Sequence, residues 1–181
     1  MFFKSSEECR QLVAVLGYGC IERFPFVFNK NASDSAIRVD FGSGSTSTST
    51  YALANSVAGW IGSPSLSLLW ITEFGIWPSS ENLHLYYLVR RSYGDFRSLP
   101  DAPGHVFLKH EHEDLVTFID LALQCGWGAS IVGNGGSTLI AISHDSYLLV
   151  SNVNADDEKP IEESVRGMHL DYHRVAGVEE R

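Results

Sequence analysis

The most regular pattern in the chain is the return of apolar residues every three or four positions at Leu115, Phe118, Ile119, Ala122 and Cys125, closed by Gly126. That spacing puts one apolar stripe along a helix and predicts a central core helix there. A shorter stripe of Leu12, Val13, Val15 and Leu16 follows Ser5 and Glu8, which stand at capping-box spacing, so a first helix is expected over residues 6–16, before Gly17 and Gly19. Tyr51, Leu53, Ala54, Val57, Ala58 and Ile61 give another helix. Over residues 81–93, Leu85, Leu88 and Val89 form one flank and Leu83, Tyr86 and Tyr87 a second. Such a stripe is too wide for a lightly packed surface helix, which must be sandwiched or must meet a partner. Arg90 and Arg91 complement the carbonyl end of that helix, and Gly94 suits a left-handed cap.

Strand signals fall between these helices. Residues 66–71 read as a buried strand and 106–108 as a short one, while 24–28 and 36–41 suggest a hairpin around the polar turn 29–35. Near the end, runs at 129–132, 138–142 and 147–150 are separated by Gly133-Asn134-Gly135-Gly136 and by His144-Asp145, the layout of a meander. Strands and helices do not alternate strictly. The expected fold is α+β: a mixed, largely antiparallel sheet covered by about four helices and ending in a three-strand meander. Residues 1–153 are read as a single domain and residues 154–181, far more charged, as a C-terminal arm with Val165, Met168, Leu170 and Tyr172 available to dock.

Composition narrows the function classes. With 181 residues, 44% hydrophobic and 19% charged, the chain has enough apolar surface for one core and too little charge for a disordered segment. Its net charge of −9 repels a phosphate backbone, so nucleic acid is not expected, and the same field favours a basic protein partner. No apolar run is long enough to span or anchor in a membrane, and Glu7, Glu8 and Arg10 interrupt any leader-like stretch. Cys9, Cys20 and Cys125 form no CxxC pair and are odd in number, which fits buried thiols in a reducing, cytoplasmic compartment. No cofactor is expected.

Candidate chemistry is sparse. His110 and His112 would share a face on a strand, His169 and His173 on a helix, and with His105 nearby either pair could offer two imidazoles to a metal ion. Gly42, Ser43, Gly44 and Ser45 open a polar loop before the second helix that could cradle a small anion, although no lysine lies between Lys30 and Lys109 to serve a triphosphate. No Gly-x-Ser-x-Gly elbow occurs, Cys125 sits on an apolar helix face, and Glu73 is the one acid in a strongly apolar setting, so no catalytic residue is assigned. Trp77, Tyr86, Tyr87 and Tyr93 gather around the third helix as candidate partner-binding residues. The sequence thus favours a non-catalytic protein-binding domain of immunity or inhibitor type that neutralises a basic partner. The alternatives are a small metal-dependent enzyme using His110 and His112 and an anion sensor using residues 42–50.

Overall fold

Strands pair in the order β1-β6-β5-β7-β8-β9-β4-β10 to make one eight-stranded sheet, antiparallel throughout, in a computed structural model that describes residues 1–20, 27–29, 35–42, 47–62, 64–74, 83–135, 138–151 and 155–176. In chain order the elements are β1 (Phe2–Lys4), α1 (Ser6–Val15), β2 (Tyr18–Cys20), β3 (Val27–Asn29), β4 (Ser35–Asp40), α2 (Ser47–Trp60), β5 (Leu66–Glu73) and α3 (Leu83–Ser92). They continue as β6 (Gly104–Leu108), a 3-10 turn (Lys109–Glu111), α4 (His112–Gln124), β7 (Gly128–Gly133), β8 (Leu139–Ser143), β9 (Tyr147–Ser151), α5 (Ala155–Gly167) and β10 (Asp171–Ala176). The protein is therefore α+β, and β7 to β9 form the expected meander.

Side chains alternate across the sheet, and the register shows which row faces which layer. Phe3, His105, Leu69, Ile131, Ile140, Val150 and Ile37 stand on neighbouring strands in one row, on the face covered by α2, α4 and α5. Leu53, Ala54 and Val57 of α2 and Val116, Ile119 and Ala122 of α4 fill that core. The opposite face carries Leu68, Trp70, Val106, Val132 and Leu139, covered by Cys9 and Val13 of α1 and by Tyr18 of β2. Glycine lets these layers approach: a methyl on Gly104 would overlap the Cys9 sulfur and crowd Lys4. Gly104→Ala is expected to destabilise the fold by about 1–3 kcal/mol through overpacking. Urea unfolding checks this, and adding Cys9→Ala should restore part of the loss if the sulfur is the obstacle.

Local signals explain the helix ends. Ser5 Oγ accepts from Glu8 N at 3.3 Å and Glu8 Oε2 from Ser5 N at 2.8 Å, the reciprocal cap of α1. The Ser5 backbone bond, joined by the Lys4 ammonium, holds the Glu8 carboxyl below its ordinary pKa. Gly126, with φ of 62°, ends α4, and Trp127 N returns to Ala122 O.

Two expectations change. No hairpin joins the strand near residue 28 to the one at 36: β3 pairs with β2 in a separate two-stranded sheet, and β4 lies between β9 and β10. Ile37 and Val39 alternate with polar neighbours and match Val150 and Leu148 on β9, so burial selects a meander strand over the nearer partner. Residues 24–26 and 30–34 of the expected hairpin lie outside the described residues. The other change concerns helix number. The charged stretch after residue 154 contributes α5, a fifth helix among the described residues, and the edge strand β10. Ile161 and Val165, one turn apart on α5, are buried in the main core, and Arg174 of β10 pairs with Glu158.

Candidate protein-interaction face

Helix α3 lies over the β1–β6 edge of the sheet and sorts its residues by face. Tyr86 and Arg90, four apart, point inward and are 0% exposed, whereas Leu85 and Leu88, three apart, point to solvent. Tyr86 packs edge-on against His105, Phe118 and Trp127 with ring centroids 5.7, 5.8 and 5.3 Å away.

A chain of hydrogen bonds holds the inner face. Arg90 Nη1 donates to the Tyr86 hydroxyl at 2.5 Å, and that hydroxyl donates to His105 Nε2 at 2.9 Å. His105 Nδ1 donates in turn to Leu69 O at 3.4 Å, which places a proton on Nδ1 and leaves Nε2 of the neutral ring to accept. Burial, reinforced by the Arg90 charge, drives the His105 pKa down to about 3. Burial likewise raises the Tyr86 phenol. The guanidinium of Arg90 also stacks over the Phe3 ring at 4.6 Å and meets Asp95 Oδ1 at 3.2 Å. Burial pushes the Asp95 carboxyl up, but hydrogen bonds from Arg97 and the charges of Arg90 and Arg97 outweigh it and hold the group below its ordinary range. Arg97 then donates to Phe3 O at 3.0 Å, tying the turn after α3 to the edge strand β1. Both terminal nitrogens of Arg90 are used in holding α3 down, its Nε is buried without a partner, and the imidazole is sealed from solvent. Its chemistry is structural.

On the outside, the same edge is apolar. Eight large apolar side chains are exposed among the described residues. Four of them, Leu85, Leu88, Tyr93 and Phe96, belong to α3 or to the turn that follows; Phe2 stands opposite Val106 on the α1 side of the sheet, and Val15, Tyr51 and Phe74 lie elsewhere. Leu88 is 65% and Phe96 78% exposed. Tyr93 turns its hydroxyl toward Asp114 at the start of α4, and partial desolvation together with the carboxylates of Asp114 and Glu111 pushes its pKa up to about 12. Glu111 also pairs with the amino group of Met1, closing the rim beside β1.

No family model, curated protein or solved structure matches this chain. The face therefore has to be judged on its own chemistry. Of the four aromatics singled out in the sequence, Tyr93 is exposed on it, Tyr87 is half-buried with its hydroxyl accepting from Leu99 N at 3.4 Å, and Trp77 lies outside the described residues. Tyr86 is corrected to a core residue, because its ring fills the gap between α3, α4 and β6 and leaves nothing for a partner to touch. Leu85 and Leu88 join this face and are signalled by the double flank of α3, whereas Phe96, in the turn beyond the helix, belongs to no period.

The other candidate residues are more scattered. His110 sits in the 3-10 turn and His112 opens α4, so they do not share a strand face. His169 takes the turn after α5 with φ of 57° and His173 lies on β10, so they do not share a helix face. Among the described residues no group of three or more histidine, cysteine or acidic side chains is placed to hold a metal ion. Gly42 has φ of 51° and is exposed, while Ser43, Gly44 and Ser45 lie outside the described residues. Glu73, 49% exposed, accepts from His144 Nδ1 at 2.7 Å, and that bond raises the His144 pKa. Desolvation raises the thiols of Cys9 and Cys125, to about 12 and about 11, far from a thiolate at neutral pH. No helix among the described residues is long and apolar enough to cross a membrane.

Proposed function

We propose that the protein is a non-catalytic protein-binding domain of immunity or inhibitor type, acting in the cytoplasm, and that the outer face of α3 with its adjoining turn docks a basic partner. The observation that carries this reading is the concentration of exposed large apolar side chains on α3 and the turn after it, four of eight among the described residues. Clustered apolar anchors of this kind are costly to leave in water and are the usual centre of a binding patch. The relay beneath supports the same reading, since a helix fixed from inside presents its outer residues with little ordering cost on binding. The excess of 22 acidic over 13 basic side chains adds long-range steering toward a cationic partner.

Affinity capture on the tagged protein, run beside a Leu88→Asp/Phe96→Asp variant, tests the reading. Both side chains are exposed, so the variant should fold with an unchanged melting temperature. The wild type is expected to retain one basic protein in stoichiometric amount. Losing two central anchors should weaken that complex by about 2 kcal/mol or more, roughly 30-fold. Equal retention by both proteins, or no stoichiometric partner for either, would dismiss the proposal.

A further inference from the structure

A cleft of about 150 Å³ opens where the end of α2, the start of β5, the end of β6 and the first turn of α4 converge. Ser67 and Phe107 are cross-strand neighbours and both line it; Pro64 and Leu115 complete an apolar wall. Lys109 and His112 stand at its rim, and no other described residue pairs with the ammonium of the one or the imidazole of the other. Neither side chain is therefore explained by pairing within the described fold.

We infer that this cleft is a binding site for a small organic carboxylate with an apolar body, the carboxylate meeting Lys109 and His112 and the body lying against Phe107, Leu115 and Pro64. Size and charge argue together. A cavity near 150 Å³ accommodates one six-membered ring, so the ligand is of benzoate size and well below the volume of most drug-like sites. Apolar walls favour the ring, and the Lys109 ammonium, with the His112 imidazole beside it as a further hydrogen-bonding group, favours the carboxylate. The nearby acids do not spoil the arrangement. His112 and Leu115 are three apart and share the cleft side of α4; Asp114 is turned to the Tyr93 hydroxyl, and the Glu111 carboxylate is engaged by the Met1 amino group and by Leu108 N. Glu113, the remaining acid of the turn, is exposed. No side chain caps α4, so the start of its dipole adds to the attraction. The site is separate from the interaction face and stands or falls without it.

Benzoate titrated into the full chain, followed by melting temperature and by amide chemical shifts, tests the site. At about ten times Kd the melting temperature should rise by roughly 3–5 °C, with shifts centred on residues 64–67, 107–109 and 112–115. In a Lys109→Ala/His112→Gln variant, whose altered side chains are exposed and absent from the relay, affinity should fall at least tenfold. Benzamide, lacking the charge, and acetate and inorganic phosphate, lacking the ring, should each bind far more weakly. The inference is overturned if benzoate produces no localised shifts, if the variant binds equally well, or if benzamide or phosphate matches benzoate.

Discussion

An Arg90→Ala protein is expected to be less stable than the wild type by about 3–5 kcal/mol, the range for breaking a buried, hydrogen-bonded charge pair by removing one partner. Arg90 is fully buried, bonds both Tyr86 and Asp95 and stacks on Phe3, so one truncation removes a donor, a counter-ion and a filled volume together. Asp95 keeps Arg97, which sits closer to solvent and cannot follow it inward. Arg90→Lys should cost less than alanine but still more than about 1 kcal/mol, because a point ammonium cannot reach Tyr86 and Asp95 with the fork geometry of a guanidinium. Urea unfolding with matched m-values measures both. A double cycle with Asp95→Asn should show coupling above about 1 kcal/mol. A loss under about 1 kcal/mol for Arg90→Ala would mean that α3 is held by apolar packing and that the relay is incidental.

Acid should destabilise the fold through His105 before it acts on the carboxylates. The folded imidazole titrates near 3 while an unfolded histidine titrates near 6.5, so between those values the unfolded chain takes up a proton that the folded chain refuses. The contribution is complete above pH 6.5 and is lost as pH falls toward 3, with a slope of up to about 1.4 kcal/mol per pH unit. His144 has the opposite sense. Its raised folded pKa gives stability that is present below 6.5 and lost as pH rises through the folded value, so it does not mask the effect in the window from 6.5 to 5. Glu8, Asp95 and Glu111, with lowered values, add their losses only at more acid pH. Urea midpoints measured from pH 6.5 to 5 should fall steadily for the wild type and much less for His105→Gln. Parallel curves would show that the ring is reached by water.

The sequence exposed those parts of the fold whose signals are local. The Ser5–Glu8 cap, the stripe of Leu115 to Ala122 and the apolar run from Leu66 are each readable within one or two turns of chain, and all three recur in the structure. Elements that owe their existence to distant partners were not readable. β1 and β2 have three residues each and no period to detect; β4 reads as a strand, but its pairing does not, because its neighbours come from the C-terminal third of the chain. Helix α5 was hidden by the run from Asp156 to Pro160, although Ile161 and Val165 stand at helical spacing and bury together. Arg90 fitted a last-turn cation complementing the helix dipole, but its position four residues after Tyr86 places it on the inward stripe, where Asp95 and Phe3 receive it. For the interaction face, the sequence showed that α3 was apolar on two flanks. Only the packing shows that the Tyr86 flank is consumed by the core and the Leu88 flank is left outside.

Site-specific photo-crosslinking tests that assignment most directly. A benzophenone amino acid placed at Leu88 or at Phe96 in living cells should yield one discrete adduct of the same partner mass. The same probe at Thr117, exposed on α4, should yield none. Absence of an adduct at both edge positions, or an identical smear from all three, would contradict a docking face on α3.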